Sequence, residues 1–253
     1  MVPSTKQAPF VDGAFKNSSL SSKQASFVDG EAFFTGLSTK TPLFVDDSHR
    51  IFGIFVTDIN ASIMEELKQR ILAEGKARAE GGVVMVGSFL NHQMDPQLMM
   101  RCADEFARLF KDQGINKIVT IEASGIAPAI MTGYKMNLPV VFIKKKNPKT
   151  VEESWKSWVW SFTRDDEVTV CIDRQFLTSS DRILFIDDFL ADGHASGSVI
   201  DLCRQSGAQI IGMGFLVEKG FAKGGQFLRD HGINYHALAT VDRINPDNSI
   251  VLR

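Results

Sequence analysis

Four consecutive apolar residues, Ile183-Leu184-Phe185-Ile186, run directly into two adjacent carboxylates, Asp187 and Asp188. A run without polar alternation is apolar on both faces, as in a strand buried within a parallel sheet. A loop of small residues follows, and Ser196 to Ser206 then carries Val199, Ile200 and Cys203 at helical spacing, with Gly207 as the stop. Strand, acids, small loop and helix start, in that order, make a way to hold a sugar phosphate. Loop amides and the helix dipole face the phosphate, and the carboxylates accept from sugar hydroxyls. An ordinary strand-to-helix turn with solvated acids has the same parts; the ordered combination favours the binding reading.

The rest of the chain repeats the alternation. Asp95-Pro96 reads as a cap and first-turn proline, opening a helix whose buried face is Leu98, Met99, Cys102, Phe106, Leu109 and Phe110, with Gly114 closing it. Ser62 and Glu65 form a capping-box pattern ahead of Leu67 and Ile71, and Val83–Val86 reads as a short strand. Strands are expected over 117–122, 140–144 and 210–217, around Val168 and Ile183, and near Tyr235 and Ile250. Helices are expected over 127–136, 196–206 and 226–231. Such alternation predicts an α/β fold with a mostly parallel central sheet flanked by helices, and ligands at the carboxyl ends of its strands.

Composition excludes several classes. The net charge of −2 comes from interspersed acids and bases, so no nucleic-acid or membrane surface is expected. No apolar run reaches the length of a membrane span. Cys102, Cys171 and Cys203 are widely spaced and lack a CxxC pairing, which reads as reduced thiols in a cytoplasmic protein. No metal-ligand spacing is present, and no residue is assigned to a metal.

Beyond the segment around Asp187, Ser88–Met99 (SFLNHQMDPQLM), Ile118–Gly133 (IVTIEASGIAPAIMTG), Trp160–Thr163 (WSFT) and Val217–Phe221 (VEKGF) occur in order. Together they resemble the bacterial xanthine phosphoribosyltransferases, and the segment around Asp187 resembles the phosphoribosyl pyrophosphate (PRPP) motif of type I phosphoribosyltransferases. The resemblance covers roughly residues 64 to 253. It implies the type I phosphoribosyltransferase fold with a small hood for base recognition, a homodimer, and transfer of ribose 5-phosphate from PRPP to xanthine in purine salvage. Magnesium is expected as a substrate-bound ion. Guanine or hypoxanthine specificity is the nearest alternative. A non-catalytic PRPP-sensing regulator is another, although residues 1–60 carry neither a convincing helix pair nor basic charge for reading DNA.

The resemblance also implies roles. Asp187 and Asp188 would hold the ribose hydroxyls beside a developing sugar cation, and Ala191, Asp192, Gly193, His194 and Ala195 would cradle the 5-phosphate. Asp192 departs from the Asn or Thr more usual there. An acid aimed at a phosphate repels it, so its side chain is expected to turn aside or cap the next helix, with His194 offsetting its charge. Glu122, Ala123, Ser124 and Gly125 would form the pyrophosphate loop, often built around a non-proline cis peptide, though alone they read as a plain glycine-containing connection. Lys144 and Lys145 would neutralise pyrophosphate, though three successive lysines also read as a solvated charge run. Residues 149–166, with three tryptophans, read as a closing loop or as a packed antiparallel hairpin. Val84, Asn91 and Lys219 fall at xanthine-contacting positions.

Before residue 60 the chain carries a 17-residue repeat, STKQAPFVD at 4–12, SSKQASFVD at 21–29 and STKTPLFVD at 38–46. A Phe-Val-Asp docking array is one reading. The favoured one is a weakly ordered extension over 1–60, followed by the phosphoribosyltransferase domain over 61–253, because each unit is too short to bury a face. Arg50–Thr57 could add a strand of unassigned role. A further reading is that Met64 is the native start, since Met-Glu-Glu-Leu-Lys resembles the beginning of the bacterial proteins. Mass spectrometry of the native protein should then find no peptides from the region Ser4 to Arg50.

Overall fold

The computed structural model describes residues 25–28, 31–34, 64–145, 153–161 and 166–253. The chain divides into two units, Met1–Ile54 and Phe55–Arg253. In the first, β1 (Ala25–Val28) and β2 (Glu31–Phe34) pair antiparallel. The remainder of the 17-residue repeats, Arg50–Thr57 and Ser62 of the capping-box pattern lie outside the described residues.

The second unit opens with helix α1 over 64–74. A small hairpin follows, of β3 (Lys76–Arg78) and β4 (Val83–Met85), and then a single wide helical turn over Gly87–Asn91. α2 (Pro96–Leu109) starts where Asp95 predicts: the Asp95 carboxylate accepts from the Gln97 and Leu98 amides at 3.0 and 3.1 Å. It ends at Leu109, earlier than Gly114 suggests; Gly114 is in the left-handed region beyond, in the connection to β5.

The principal sheet has eight strands. In chain order they are β5 (Lys117–Ile121), β6 (Val140–Lys145), β7 (Ser154–Ser161), β8 (Asp166–Asp173), β9 (Arg182–Leu190), β10 (Gln209–Lys219), β11 (Tyr235–Ile244) and β12 (Ile250–Leu252). Across the sheet they run β12-β11-β10-β9-β5-β6-β8-β7. The central five are parallel, while β7, β8 and β12 add antiparallel edges. The helices between are α3 (Ile126–Met136), α4 (His194–Ser206) and α5 (Gly224–Asp230).

Alternation along β9 shows why its run is unbroken. Leu184 and Ile186 enter one core with Leu67, Leu98, Phe106 and Ala129, from α1, α2 and α3. Ile183 and Phe185 enter the other with Val199, Leu202 and Leu228, from α4 and α5. Successive strand residues face opposite sides, and both sides are covered. Residues 154–161 and 166–173 pair as an antiparallel hairpin, an arrangement among the readings of 149–166; residues 149–152 and 162–165 lie outside the described residues.

Chain order reverses between β9 and β5: the strand after β5 lies on one side, the strand after β9 on the other. That switch point places the connections 122–125 and 191–193 beside each other at the carboxyl ends of the strands. Because Asp95 fixes the entry of α2, Asp95→Ala should cost about 1–2 kcal/mol of stability, measured by urea denaturation, through loss of two amide bonds and of the Arg70 pair at 3.0 Å.

Candidate functional site

β9 pairs with β5 only as far as Phe185 but with β10 as far as Leu190. The acids therefore lie within the strand and not after it, which corrects the sequence boundary. Pairing to β10 holds the backbone through 187–190 while the departure of β5 leaves that edge open. A cavity of about 240 Å³ occupies the opening. Of the expected residues, Glu122, Ser124, Lys145, Asp187, Asp188, Ala191, Asp192, Gly193, His194 and Ala195 line it, and Ile121, Val159 and Val168 wall it.

α4 begins at His194, two residues earlier than its apolar spacing indicates. Gly193 caps it with φ of 85°, and a Cβ at that position would press on the Phe227 ring at 3.0 Å. Gly197 N donates to Gly193 O at 2.8 Å, so the His194, Ala195 and Ser196 amides are the first-turn donors without intrahelical acceptors. They stand at the cavity, where an anion would meet both the amides and the helix dipole. Asp192 turns its Oδ1 toward the Lys223 amide at 3.4 Å, beside α5. It turns aside as expected but does not cap α4.

Glu122 and Lys145 are joined across the other wall, the Lys145 amide donating to Glu122 Oε1. The Glu122–Ala123 peptide bond is cis. Lys144 and Lys145 face opposite sides of β6: the Lys144 ammonium stands 5.7 Å from the centroid of the Phe142 ring, two residues back, and only Lys145 lines the cavity. Ala123, Gly125 and Lys144 are adjacent to the lining without belonging to it.

The three residues expected to read a base lie outside the cavity lining, Val84 on β4, Asn91 at the end of the wide turn and Lys219 at the end of β10. Asn91 closes the wide turn and donates to Asp188 Oδ2 at 3.0 Å. Lys219 ends β10 and donates to Gly82 O at 2.9 Å, beside β4, where Val84 packs on the first core. Burial lowers the Lys219 ammonium below its ordinary value, while Asp192 counters it. Trp155 donates to Leu177 O at 3.0 Å, whereas Trp158 is 64% exposed.

Asp187 and Asp188 are only 6% and 7% exposed. Asp187 Oδ1 accepts the Asp188 amide at 2.9 Å. Burial pushes the Asp187 carboxyl well above the usual carboxylate range, and the Asp188 charge adds to the push. Among the described residues, no group of three or more His, Cys, Asp and Glu is gathered as a metal site, and no helix is long and apolar enough to cross a membrane. Sequence reading missed Thr120, a fully buried polar side chain beneath the cavity, because a lone threonine in an apolar strand carries no local signal.

No protein-family profile matches the chain. Relatives do. The chain is 48% identical over 179 residues to a xanthine phosphoribosyltransferase from Lactobacillus delbrueckii subsp. bulgaricus, covering 70% of this chain and 94% of that one. It is 45% identical over 188 residues to one from Ligilactobacillus salivarius, covering 74% and 97%. One from Pseudomonas fluorescens is 51% identical over 179 residues, covering 70% and 94%. Among solved structures, the adenine phosphoribosyltransferase of Thermoanaerobacter pseudethanolicus superposes with a TM-score of 0.59 at 18% identity, covering 70% of this chain and 99% of that one. That of Giardia lamblia, complexed with 9-deazaadenine, superposes at 0.58 and 20%, covering 66% and 94%. These structural likenesses show the fold, which is that of the phosphoribosyltransferases.

The raised Asp187 value sets a sign for stability. Its contribution is fully present below the unfolded value of 3.8 and is lost as pH rises through the higher folded value. Asp187→Asn, which keeps the acceptor for the Asp188 amide, should therefore gain stability relative to wild type as pH rises from about 4 to about 8. Denaturation midpoints of the two proteins across that range check it; a constant difference would contradict the assignment. Taken with the cavity and its fold, the identity over nearly the full length of these relatives makes this chain a member of the xanthine phosphoribosyltransferase family.

Proposed function

We propose that the chain transfers the 5-phosphoribosyl group of PRPP to xanthine, forming xanthosine monophosphate and diphosphate in purine salvage. The observation that carries this reading is the meeting of the Asp187–Asp188 pair with the first-turn amides of α4 at the sheet's switch point. PRPP enters as its magnesium complex, with the ion carried on substrate oxygens and water. The protein is a cytoplasmic homodimer.

The first-turn amides of α4 and the loop 191–193 hold the 5-phosphate. Asp187 and Asp188 accept from the ribose hydroxyls and orient the sugar. On the opposite wall, the backbone of 122–125 and the Lys145 ammonium receive the diphosphate. Lys144, over the Phe142 ring, adds charge to that edge without reaching into the cavity. Breaking the bond from the anomeric carbon to diphosphate oxygen leaves positive charge on the sugar. A purine nitrogen then forms the new bond to that carbon and loses its proton. The two aspartates lie beside the developing cation, so alignment and electrostatics supply the catalysis without a protein nucleophile. Val159 and Val168, from the β7–β8 hairpin, limit water access on the outer side.

Lys219, Val84 and Asn91 read the base. The Lys219 ammonium can donate to a xanthine carbonyl oxygen, where adenine presents an amino donor. Its present bond to Gly82 O keeps it in the hood and half desolvated, which strengthens a charged hydrogen bond. Asn91, through Asp188, ties the base site to the sugar site.

Steady-state turnover with PRPP, magnesium and each purine base tests the reading. Xanthine should give the highest kcat/KM. No product with any base, alongside retained PRPP binding in calorimetry, would replace the enzyme with a PRPP sensor. Lys219→Ala should raise the xanthine KM by about 10- to 100-fold, the equivalent of one charged hydrogen bond, and leave the PRPP KM nearly unchanged. An unaltered xanthine KM would remove Lys219 from the base site.

A further inference from the structure

Thr120 sits on β5 with no exposed surface, and its Oγ1 has no hydrogen-bond partner. A buried hydroxyl without a partner is destabilising, and such a group calls for an explanation, often an ordered water or a catalytic role. Its surroundings say what that role is. A Cβ built on Gly125 would strike two oxygens, Thr120 Oγ1 and Asp187 Oδ1, the latter at 2.5 Å. Two oxygens from different strands thus face one point, and the missing side chain at 125 leaves that point to them. A side-chain rotation or one bridging water is enough to join them.

We propose that Thr120 is a positioning residue for Asp187, its hydroxyl orienting the carboxyl in both protonation states. A hydroxyl can accept from a carboxylic acid and, turned about its C–O bond, donate to a carboxylate. Valine, of nearly the same shape, can do neither. Burial and the neighbouring Asp188 favour the protonated form of Asp187. The other titratable groups around the same cavity are Lys145 from β6, Glu122 from the β5–α3 connection, Asp192 from the β9–α4 connection and His194 at the start of α4. When ribose hydroxyls arrive as donors, they favour the ionised form, and the proton leaves to solvent. Thr120 then supplies a second donor from behind, on the side away from substrate. A donor to a charged carboxylate is stronger than the neutral bond it replaces, so the hydroxyl stabilises the ionised form more.

This role rests on the phosphoribosyl-transfer reading, and the experiment keeps the two apart. The pH profile of kcat with xanthine and PRPP is measured for wild type, Thr120→Val and Thr120→Ser, together with melting temperatures. Wild-type turnover tests the reaction itself; its absence would remove both proposals. With wild type active, Thr120→Val should lower kcat about tenfold, the equivalent of a lost hydrogen bond to a charge, and move the acidic limb to higher pH. Its melting temperature should be close to wild type or higher, because at most one neutral bond is lost against the removal of a buried hydroxyl. Thr120→Ser should restore both the rate and the limb. An unmoved limb with wild-type kcat in Thr120→Val overturns the role. So does parallel loss of melting temperature and rate that serine fails to restore. Should the valine chain not fold, Thr120→Ala takes its place: a displaced limb supports the role, and a wild-type limb overturns it.

Discussion

The early departure of β5 from β9 is the constraint on which the site depends. β9 stays bonded to β10 through Leu190, so its backbone is fixed on one side while the other opens after Phe185. An acid pair held this way cannot swing out to solvent as a loop carboxylate would. The pair is buried there, and burial raises the Asp187 carboxyl above the usual carboxylate range. The unfavourable burial of two adjacent carboxyl groups is offset by apolar contacts from Ile183 to Ile186, which reach into both cores. Strand and acid pair are therefore one device: the stable part of β9 holds the unstable part in place.

The parts of the site are joined by bonds from distant parts of the chain. Asn91 reaches Asp188, Lys219 reaches Gly82, the Gly224 amide donates to Ala191 O at 2.8 Å, and Asp192 leans to the Lys223 amide. The wide turn 87–91 thus meets the Asp187–Asp188 pair, and the connection 191–193 meets the start of α5. Behind them, Glu218 is buried between Tyr235 and Thr240, accepting from each at 3.2 Å, and it fixes the end of β10 from which Lys219 projects. Lys219 can therefore keep a set direction although its side chain is long and otherwise rotamer-rich.

Legibility in the sequence followed the range of the interaction. The cap at Asp95, the stop at Gly207 and the two-sided run of β9 are local, and each stands where the residues place it. The end of β9 depends instead on β10 lying alongside it, a pairing that no pattern within 183–190 encodes, so the strand reads as ending at the acids and not at Leu190. The two lysines at the end of β6 read alike, and strand alternation separates them only once the register is known. Asp192 was expected to turn from the phosphate on charge alone, but its partner beside α5 is 31 residues away. Thr120 gave no signal, because its meaning comes from Gly125 and Asp187 folding over it.

The same sheet and loops superpose on proteins named for adenine, at 18–20% identity, and this has a physical basis. On the function proposed for this chain, backbone amides and paired carboxylates would grip phosphate and ribose, groups of the donor and not of the base, so they would exert no choice among bases. Selection requires polar groups matched to the ring edge, since a buried donor facing a donor is left unpaired and costs about 1–3 kcal/mol. In this chain the candidates for that match, Asn91 and Lys219, meet the cavity from the wide turn 87–91 and the tip of β10, outside the lining itself. Changes in those short segments can alter which base is taken without disturbing the switch point. The sheet can then remain constant while the hood diverges, as expected where chemistry and recognition sit on separate elements.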